Sequence, residues 1–273
     1  MISTDILLNQ AILAALEAGE LLRLGQLSGF AVTTKEGQYD LVTDYDRKAE
    51  GLIKERLSKA FPHHGFLGEE EGVQGPTLEN TEGDSIVWII DPLDGTVNFV
   101  HHIPFFCVSL AAVQGGQVLC GVIYNPMTHE LFTAQKGRGA YLNGKQLQIK
   151  RPQNLQQCLF ATGFPYNLQQ NPRHCRERLQ RILELGTPLR RLGSAALDLA
   201  YVAAGRMDAY WEVSVHPWDL AAGVCLVNEA GGKVTQLSGE PMDWRIHDLS
   251  VMAIHPELHE SFLQQLSSFP GGR

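Results

Sequence analysis

The spacing of hydrophobic positions changes several times along the chain, and each change predicts an element. Leu8, Ile12, Ala15, Leu16 and Leu22 recur at helical intervals and predict a helix over 4–24, with Thr4 as its cap. A loop is expected over 25–37 and a short extended piece over 39–44. Ala49, Leu52, Ile53 and Leu57 share one face of a second helix, from about 46 to 60, which stops before Pro62. The pattern then breaks at 85–99, SIVWIIDPLDGTVNF. Residues 86–90 are apolar without alternation, as in a strand buried on both faces. Pro92 lacks an N–H and holds Asp91 extended, so the strand is expected to stop there, before a turn at Asp94, Gly95 and Thr96.

From 105 to 149 a β-meander is predicted, with strands over 105–113, 117–124 and 130–135, a turn at Gly115-Gly116 and a hairpin at Asn143-Gly144. Beyond it, helices and strands alternate. Strands are expected over 159–162, 207–213, at Val234 and over 251–254, and helices over 172–185, 195–204, 217–230 and 256–266. The tail 269–273 is expected to fray. The switch near residue 150 suggests subdomains 1–150 (helices plus antiparallel sheet) and 151–273 (α/β) sharing one crevice within a single domain, 1–273.

Composition narrows the functional classes. With 44% hydrophobic and 19% charged residues the chain is a folded protein. A net charge of -8 weakens nucleic-acid binding, and the local basic set Arg173, Arg176, Arg178 and Arg181 reads as the solvated side of a helix. Five cysteines, none in a C-x-x-C pair, read as reduced, buried thiols of a cytoplasmic protein. No signal peptide and no membrane-spanning run is evident, so no membrane partner is expected.

Acidic residues gather at the predicted element ends. Asp91 and Asp94 follow a buried strand, where sheets present side chains to a crevice. Satisfying local amides of a turn is the plainer role. Asp44 and Asp46 open a helix, and Asp219 lies in the first turn after Pro217; capping and the helix dipole would account for all three. Glu69, Glu70 and Glu71 lie between Gly68 and Gly72, as in a solvated turn from which one acid points back into a site.

Together, Gly68-Glu69-Glu70, the run 88–99 (WIIDPLDGTVNF) and Trp218-Asp219-Leu220-Ala221-Ala222-Gly223 resemble the inositol monophosphatase family of lithium-sensitive sugar phosphatases. Asp40-Leu41-Val42-Thr43 with Asp46, and Gly193-Ser194-Ala195-Ala196, fit the same pattern, and the resemblance runs from about 5 to 265. It implies an α/β (α+β) layered αβαβα sandwich and Mg²⁺-dependent hydrolysis of phosphate monoesters, with two or three ions per site. By position, Glu69, Asp91 and the Leu93 carbonyl would hold one ion, and Asp91, Asp94 and Asp219 the second. Asp46 and Thr96 would orient the attacking water, with Glu70 in support. Gly95 and Thr96 amides would meet the phosphate; Gly193, Ser194, Ala195 and Glu212 would meet the sugar, with Arg191 either at the substrate or in a surface ion pair. A Lys35 loop folding over the site, a homodimer and Li⁺ inhibition are further implications.

This donor set suits the chemistry, since Mg²⁺ takes hard oxygen ligands and phosphoryl transfer needs positioning more than a protein nucleophile. Thr96-Val97-Asn98-Phe99 favours myo-inositol 1-phosphate as the small-molecule substrate. Wider sugar phosphates, fructose 1,6-bisphosphate, nucleotide 3′-phosphates and histidinol phosphate stay open. So does a regulatory member of the same fold that binds RNA or protein, against which the intact acidic set argues. His216 is expected to pack or hydrogen-bond locally, and His101-His102 to form a polar loop.

Overall fold

A computed structural model describes residues 3–34, 41–78 and 85–267. Lys35, Tyr39, Asp40, residues 79–84 and the tail from 268 lie outside the described residues. Helices α1 (Thr4–Ser28) and α2 (Asp44–Ala60) flank two short antiparallel strands, β1 (Val32–Thr34) and β2 (Leu41–Thr43). Leu7, Ala11, Ala14, Ala15, Ala18 and Leu22 bury the inner face of α1. The cap is Ser3, not Thr4; Ser3 Oγ accepts from Asp5 N, while the Thr4 hydroxyl accepts from Gln135. The helix also runs through Gly25 and takes up the start of the expected loop.

Next come β3 (Gly65–Gly68), β4 (Gly72–Gln74), β5 (Ile86–Asp94), the short α3 (Thr96–Val100), and β6 (Cys107–Gln114). β7 (Gln117–Asn125), β8 (Glu130–Gln135), β9 (Gly139–Leu142) and β10 (Lys145–Gln146) complete the meander. Among the described residues they form an eight-stranded sheet ordered β10-β9-β8-β7-β6-β5-β3-β4, antiparallel except for β3 beside β5. The second sheet has five strands, β11 (Phe160–Thr162), β12 (Leu189–Arg190), β13 (Ala209–Val215), β14 (Lys233–Thr235) and β15 (Leu249–Ile254), ordered β12-β11-β13-β15-β14.

The helices fill the layers between and outside these sheets. α1 and α2 cover one face of the larger sheet, packing on Ile86, Trp88 and Ile90 of β5. On its other face Val87 and Ile89 meet α5 (Ala195–Ala203) and α6 (Pro217–Glu229), which also pack on Tyr210 and Val251 of the smaller sheet. The far face of the smaller sheet carries α4 (Cys175–Glu184) and α7 (His259–Ser267). The order is αβαβα. β5 is apolar throughout because alternate residues enter two different cores. The tight α6–sheet approach needs Gly121, where a Cβ would lie 2.8 Å from the Ala222 carbonyl oxygen.

Three further expectations change. β5 does not stop at Asp91-Pro92; it pairs on to Asp94 opposite Cys107, after a register shift between Asp91 and Asp94. Pro92 lies in that irregularity, so its missing N–H interrupts no regular ladder. The helix expected over 172–185 divides into a 3₁₀ turn at Pro172–His174 and α4, because Arg173 and His174 take φ of 48° and 56°. Arg178 is not on a solvated face; its guanidinium donates to the Arg173 and Leu266 carbonyls. All five cysteines are buried and free, and no helix among the described residues is long and apolar enough to cross a membrane.

Candidate active site

Two helix N-termini and two strand ends aim acids at one place, and a third helix N-terminus donates to one of them. At the start of α2, Thr43 is the N-cap, and its N–H donates to Asp46 Oδ2 at 2.8 Å. The other oxygen of Asp46 accepts from Thr96 Oγ1 at 3.1 Å. At the start of α6, His216 N donates to Asp219 Oδ2 at 2.7 Å in the same box geometry. Capping therefore does not compete with a site role: each acid spends one oxygen on its helix. At the start of α5, Ser194 Oγ and Ala196 N donate to Asp94 Oδ2 at 2.6 and 2.7 Å. Ser194 Oγ also accepts from Leu197 N, so this hydroxyl is committed to holding Asp94 and the helix.

Asp91 is fixed by its own turn. Leu93 N donates to Asp91 Oδ1 at 3.0 Å, across Pro92. Gly95 follows with φ 94°, a conformation that suits glycine, and a Cβ there would meet the Phe105 carbonyl oxygen at 3.0 Å. Asn98 then stitches α3 to the substrate-side loop, donating to Phe105 O at 2.7 Å and Leu192 O at 2.8 Å.

A cavity of about 790 Å³ opens between the sheets at these ends. Glu69, Asp91, Leu93, Asp94, Gly95, Thr96 and Asp219 line it, and so do Arg191, Gly193, Ser194, Ala195 and Glu212. Asp46 and Glu70 do not line it. Asp46 is 1% exposed and reaches the cavity only through the Thr96 hydroxyl, whereas the Glu70 side chain, 2% exposed, faces Arg47 at 3.9 Å. Among the described residues Arg191 has no ion-pair partner within 4.0 Å; it lines the cavity, attracting Glu212 and Asp198. His216 hydrogen-bonds His247 O and stacks on Trp218, the local role expected of it.

Burial dominates the electrostatics, and the crowding of acids adds to it. Burial, and then the charges of Glu69, Asp94 and Asp219, raise Asp91 well above the carboxylate range. Burial, then Asp94 and Glu69, does the same to Asp219. Burial lifts Asp94 to about 6 against the Ser194 and Ala196 hydrogen bonds, and lifts Asp46 and Glu212 to about 7. These groups hold protons when folded that they would release when unfolded. Their stabilising effect is complete below pH ~4 and is lost as pH rises through 6–7. Half-buried His64 and buried His259 are lowered by desolvation and act oppositely, but only up to about pH 6.5. Metal-free protein is therefore expected to lose stability between pH 6.5 and 8, by about 1.4 kcal/mol per pH unit for each proton the fold retains. Urea melts at the two pH values check this; a stability that rises with pH across that window contradicts it.

Whether the acids suit a cation is a question of donor type. Among the described residues no group of three or more His, Cys, Asp or Glu stands in ready-made ligating geometry. The oxygen donors nonetheless match a hard divalent ion. The charges of Glu69, Asp94 and Asp219 add to burial in raising the proton affinity of Asp91, those of Glu69 and Asp94 do so for Asp219, and the Leu93 carbonyl lines the same cavity. A cation among them would relieve that repulsion.

Two acids that hold or line the site are absent from the sequence reading. Glu50, fully buried, accepts from Glu70 N at 2.8 Å and Glu71 N at 3.0 Å and pairs with Lys54 at 2.7 Å. It fastens the turn that carries Glu69, and a Cβ at Gly68 would overlap its carboxylate. The signal was available: Asp46, Glu50, Ile53, Lys54 and Leu57 form a helical stripe, with charges on a face that also holds apolar residues. Asp198 of α5 lines the cavity and stood hidden in an apolar helical run.

The αβαβα fold thus carries a carboxylate-walled cavity where strand and helix ends meet. The model of the inositol monophosphatase family matches residues 4–269. An inositol-1-monophosphatase of Mesorhizobium japonicum is 44% identical over 236 residues, 85% of this chain and 86% of that protein. The Nus factor SuhB of Escherichia coli K12 is 42% identical over 234 residues, 85% of this chain and 86% of that protein. The crystal structure of the extragenic suppressor protein suhB from Bartonella henselae superposes with a TM-score of 0.87 at 39% identity, covering 97% of this chain and 100% of that one. The chain belongs to the inositol monophosphatase family.

Proposed function

We propose that the protein hydrolyses phosphate monoesters with Mg²⁺, and that myo-inositol 1-phosphate is its substrate. The observation that carries this reading is the meeting of Glu69, Asp91, Asp94 and Asp219 on a cavity that continues to Glu212 and Arg191. In it, Glu69, Asp91, the Leu93 carbonyl, Asp94 and Asp219 hold the ions, two or three in number. Bound Mg²⁺ supplies activation of water and neutralisation of the leaving oxygen. The Thr96 hydroxyl, anchored between Asp46 and the Leu93 carbonyl, positions the attacking water. Asp46, lifted to about 7 by burial with a smaller contribution from the charges of Glu69 and Glu70, takes up a proton through that hydroxyl. The water oxygen bonds to phosphorus as the ester P–O bond breaks; the leaving alkoxide takes a proton from solvent water, and Asp46 returns its own to solvent. Glu212, held by the Tyr210 hydroxyl, accepts from a substrate hydroxyl.

The substrate choice follows from the polar lining of the cavity and from relatives named inositol-1-monophosphatase. Phosphate release is expected to be faster with myo-inositol 1-phosphate than with fructose 1,6-bisphosphate, adenosine 3′,5′-bisphosphate or histidinol phosphate, and to be inhibited by Li⁺. Absence of release from every inositol and sugar monophosphate in Mg²⁺ would sink the proposal. Identity to proteins named Nus factor SuhB carries a second reading, a regulatory role beside catalysis. Complementation of a strain lacking the Escherichia coli relative by a phosphatase-dead Asp91→Asn protein would separate the two.

A further inference from the structure

One buried acid on the cavity wall has no use in the reaction above. Asp198 is 1% exposed, lines the cavity with Arg191 and Glu212, and its Oδ1 has no hydrogen-bond partner among the described residues. Buried polar atoms are nearly always paired, so an orphan on a side chain that lines a cavity points to a ligand group. Neighbouring donors are already spent. The Tyr210 hydroxyl donates to Glu212, and the Ser194 hydroxyl, one helical turn before Asp198, donates to Asp94. Arg191 attracts Asp198 through its charge but leaves Oδ1 unpaired.

The chemistry of the missing partner is restricted. Burial, with Glu212 and Asp94 close by, raises the proton affinity of Asp198 well above the carboxylate range. An acid that holds or sheds its proton needs a partner able both to donate and to accept, which a hydroxyl does and an ammonium or carboxylate does not. We propose that Asp198 is a specificity-determining residue that hydrogen-bonds a hydroxyl on the alcohol half of the substrate, so that the site selects phosphate esters of polyols. This deepens the reading above and rests on it for the direction in which the ester lies, with phosphate at the acids of β5 and alcohol at α5 and β13.

The test compares kcat and KM for wild type, Asp198→Ala and Asp198→Asn on myo-inositol 1-phosphate, fructose 1-phosphate and p-nitrophenyl phosphate, which has no free hydroxyl. In Asp198→Ala, kcat/KM for the polyol esters is expected to fall about tenfold further than for p-nitrophenyl phosphate, chiefly through KM. Asp198→Asn, which keeps the shape and both donates and accepts, is expected to recover most of that ratio. An equal fall on all esters shows a folding or positioning role and overturns the proposal, as does an unchanged ratio. Wild-type turnover of fructose 1-phosphate but not of the inositol ester defeats the inositol reading and leaves the Asp198 ratio measurable. Wild-type turnover of p-nitrophenyl phosphate alone defeats both.

Discussion

Asp91→Asn is expected to cut phosphate release about 10³-fold while making the metal-free protein more stable at pH 8. The two effects have one cause. Asp91 is 1% exposed, and Glu69, Asp94 and Asp219 all raise its proton affinity. Asparagine keeps the side-chain shape and an oxygen for the Leu93 N–H, so the turn over Pro92 survives. What goes is an acid that at pH 8 must either keep a proton the unfolded chain would release or carry a buried charge repelled by its neighbours. Without a cation that charge destabilises the fold, and its removal is expected to raise Tm. With Mg²⁺ the same charge is what holds the ion. Several kcal/mol of transition-state stabilisation, at about 1.4 kcal/mol per tenfold in rate, account for the loss of activity. The Tm increase that Mg²⁺ gives the wild type is expected to shrink in the variant, because that increase follows site affinity. Melting curves with Mg²⁺ and with chelator at pH 8 check both halves. A lower metal-free Tm in Asp91→Asn would mean that these acids support the fold and do not strain it.

The sequence made the layers legible where one physical signal dominated. β5 could be recognised because it enters two cores and so has no polar face. Asn143-Gly144 marked a hairpin because both residues take positive φ, 48° and 79°. Where two local signals competed, the reading erred. Pro92 argued for a strand end, but a register shift absorbs its missing N–H and pairing resumes at Asp94. The arginines of α4 looked solvated because helical spacing cannot show that the Leu266 carbonyl lies within reach of Arg178. At the site, residues near the motifs were legible, and those that act by burial alone were not. Thr96 and Asp46 stand 50 positions apart yet hydrogen-bond, and the motif marked both. Asp198 lies in an apolar run, and only the three-dimensional packing of α5 against the cavity reveals it.

Lys54→Met is expected to destabilise the protein by ~3–5 kcal/mol and to lower its Tm by about 10 °C, although Lys54 touches no part of the cavity. Lys54 and Glu50 form an ion pair at 2.7 Å, with side chains 7% and 0% exposed. Removing the lysine leaves the Glu50 charge buried with only the Glu70 and Glu71 amides, and Glu71 loses its own contact with Lys54 at 3.2 Å. Glu50 cannot swing to solvent without releasing the turn that presents Glu69. The stability loss is therefore expected to travel with a weaker site, seen as a rise in the Mg²⁺ concentration needed for half-maximal phosphate release. A paired Lys54→Met, Glu50→Gln variant separates the two effects. It removes the uncompensated charge, so much of the Tm should return. The Glu70 and Glu71 amides, however, then face an amide in place of a carboxylate, so the Mg²⁺ requirement should stay high. If the double variant recovers neither, the pair is a packing element of α2 alone; if it recovers both, the charge of Glu50 is not what positions the acidic turn.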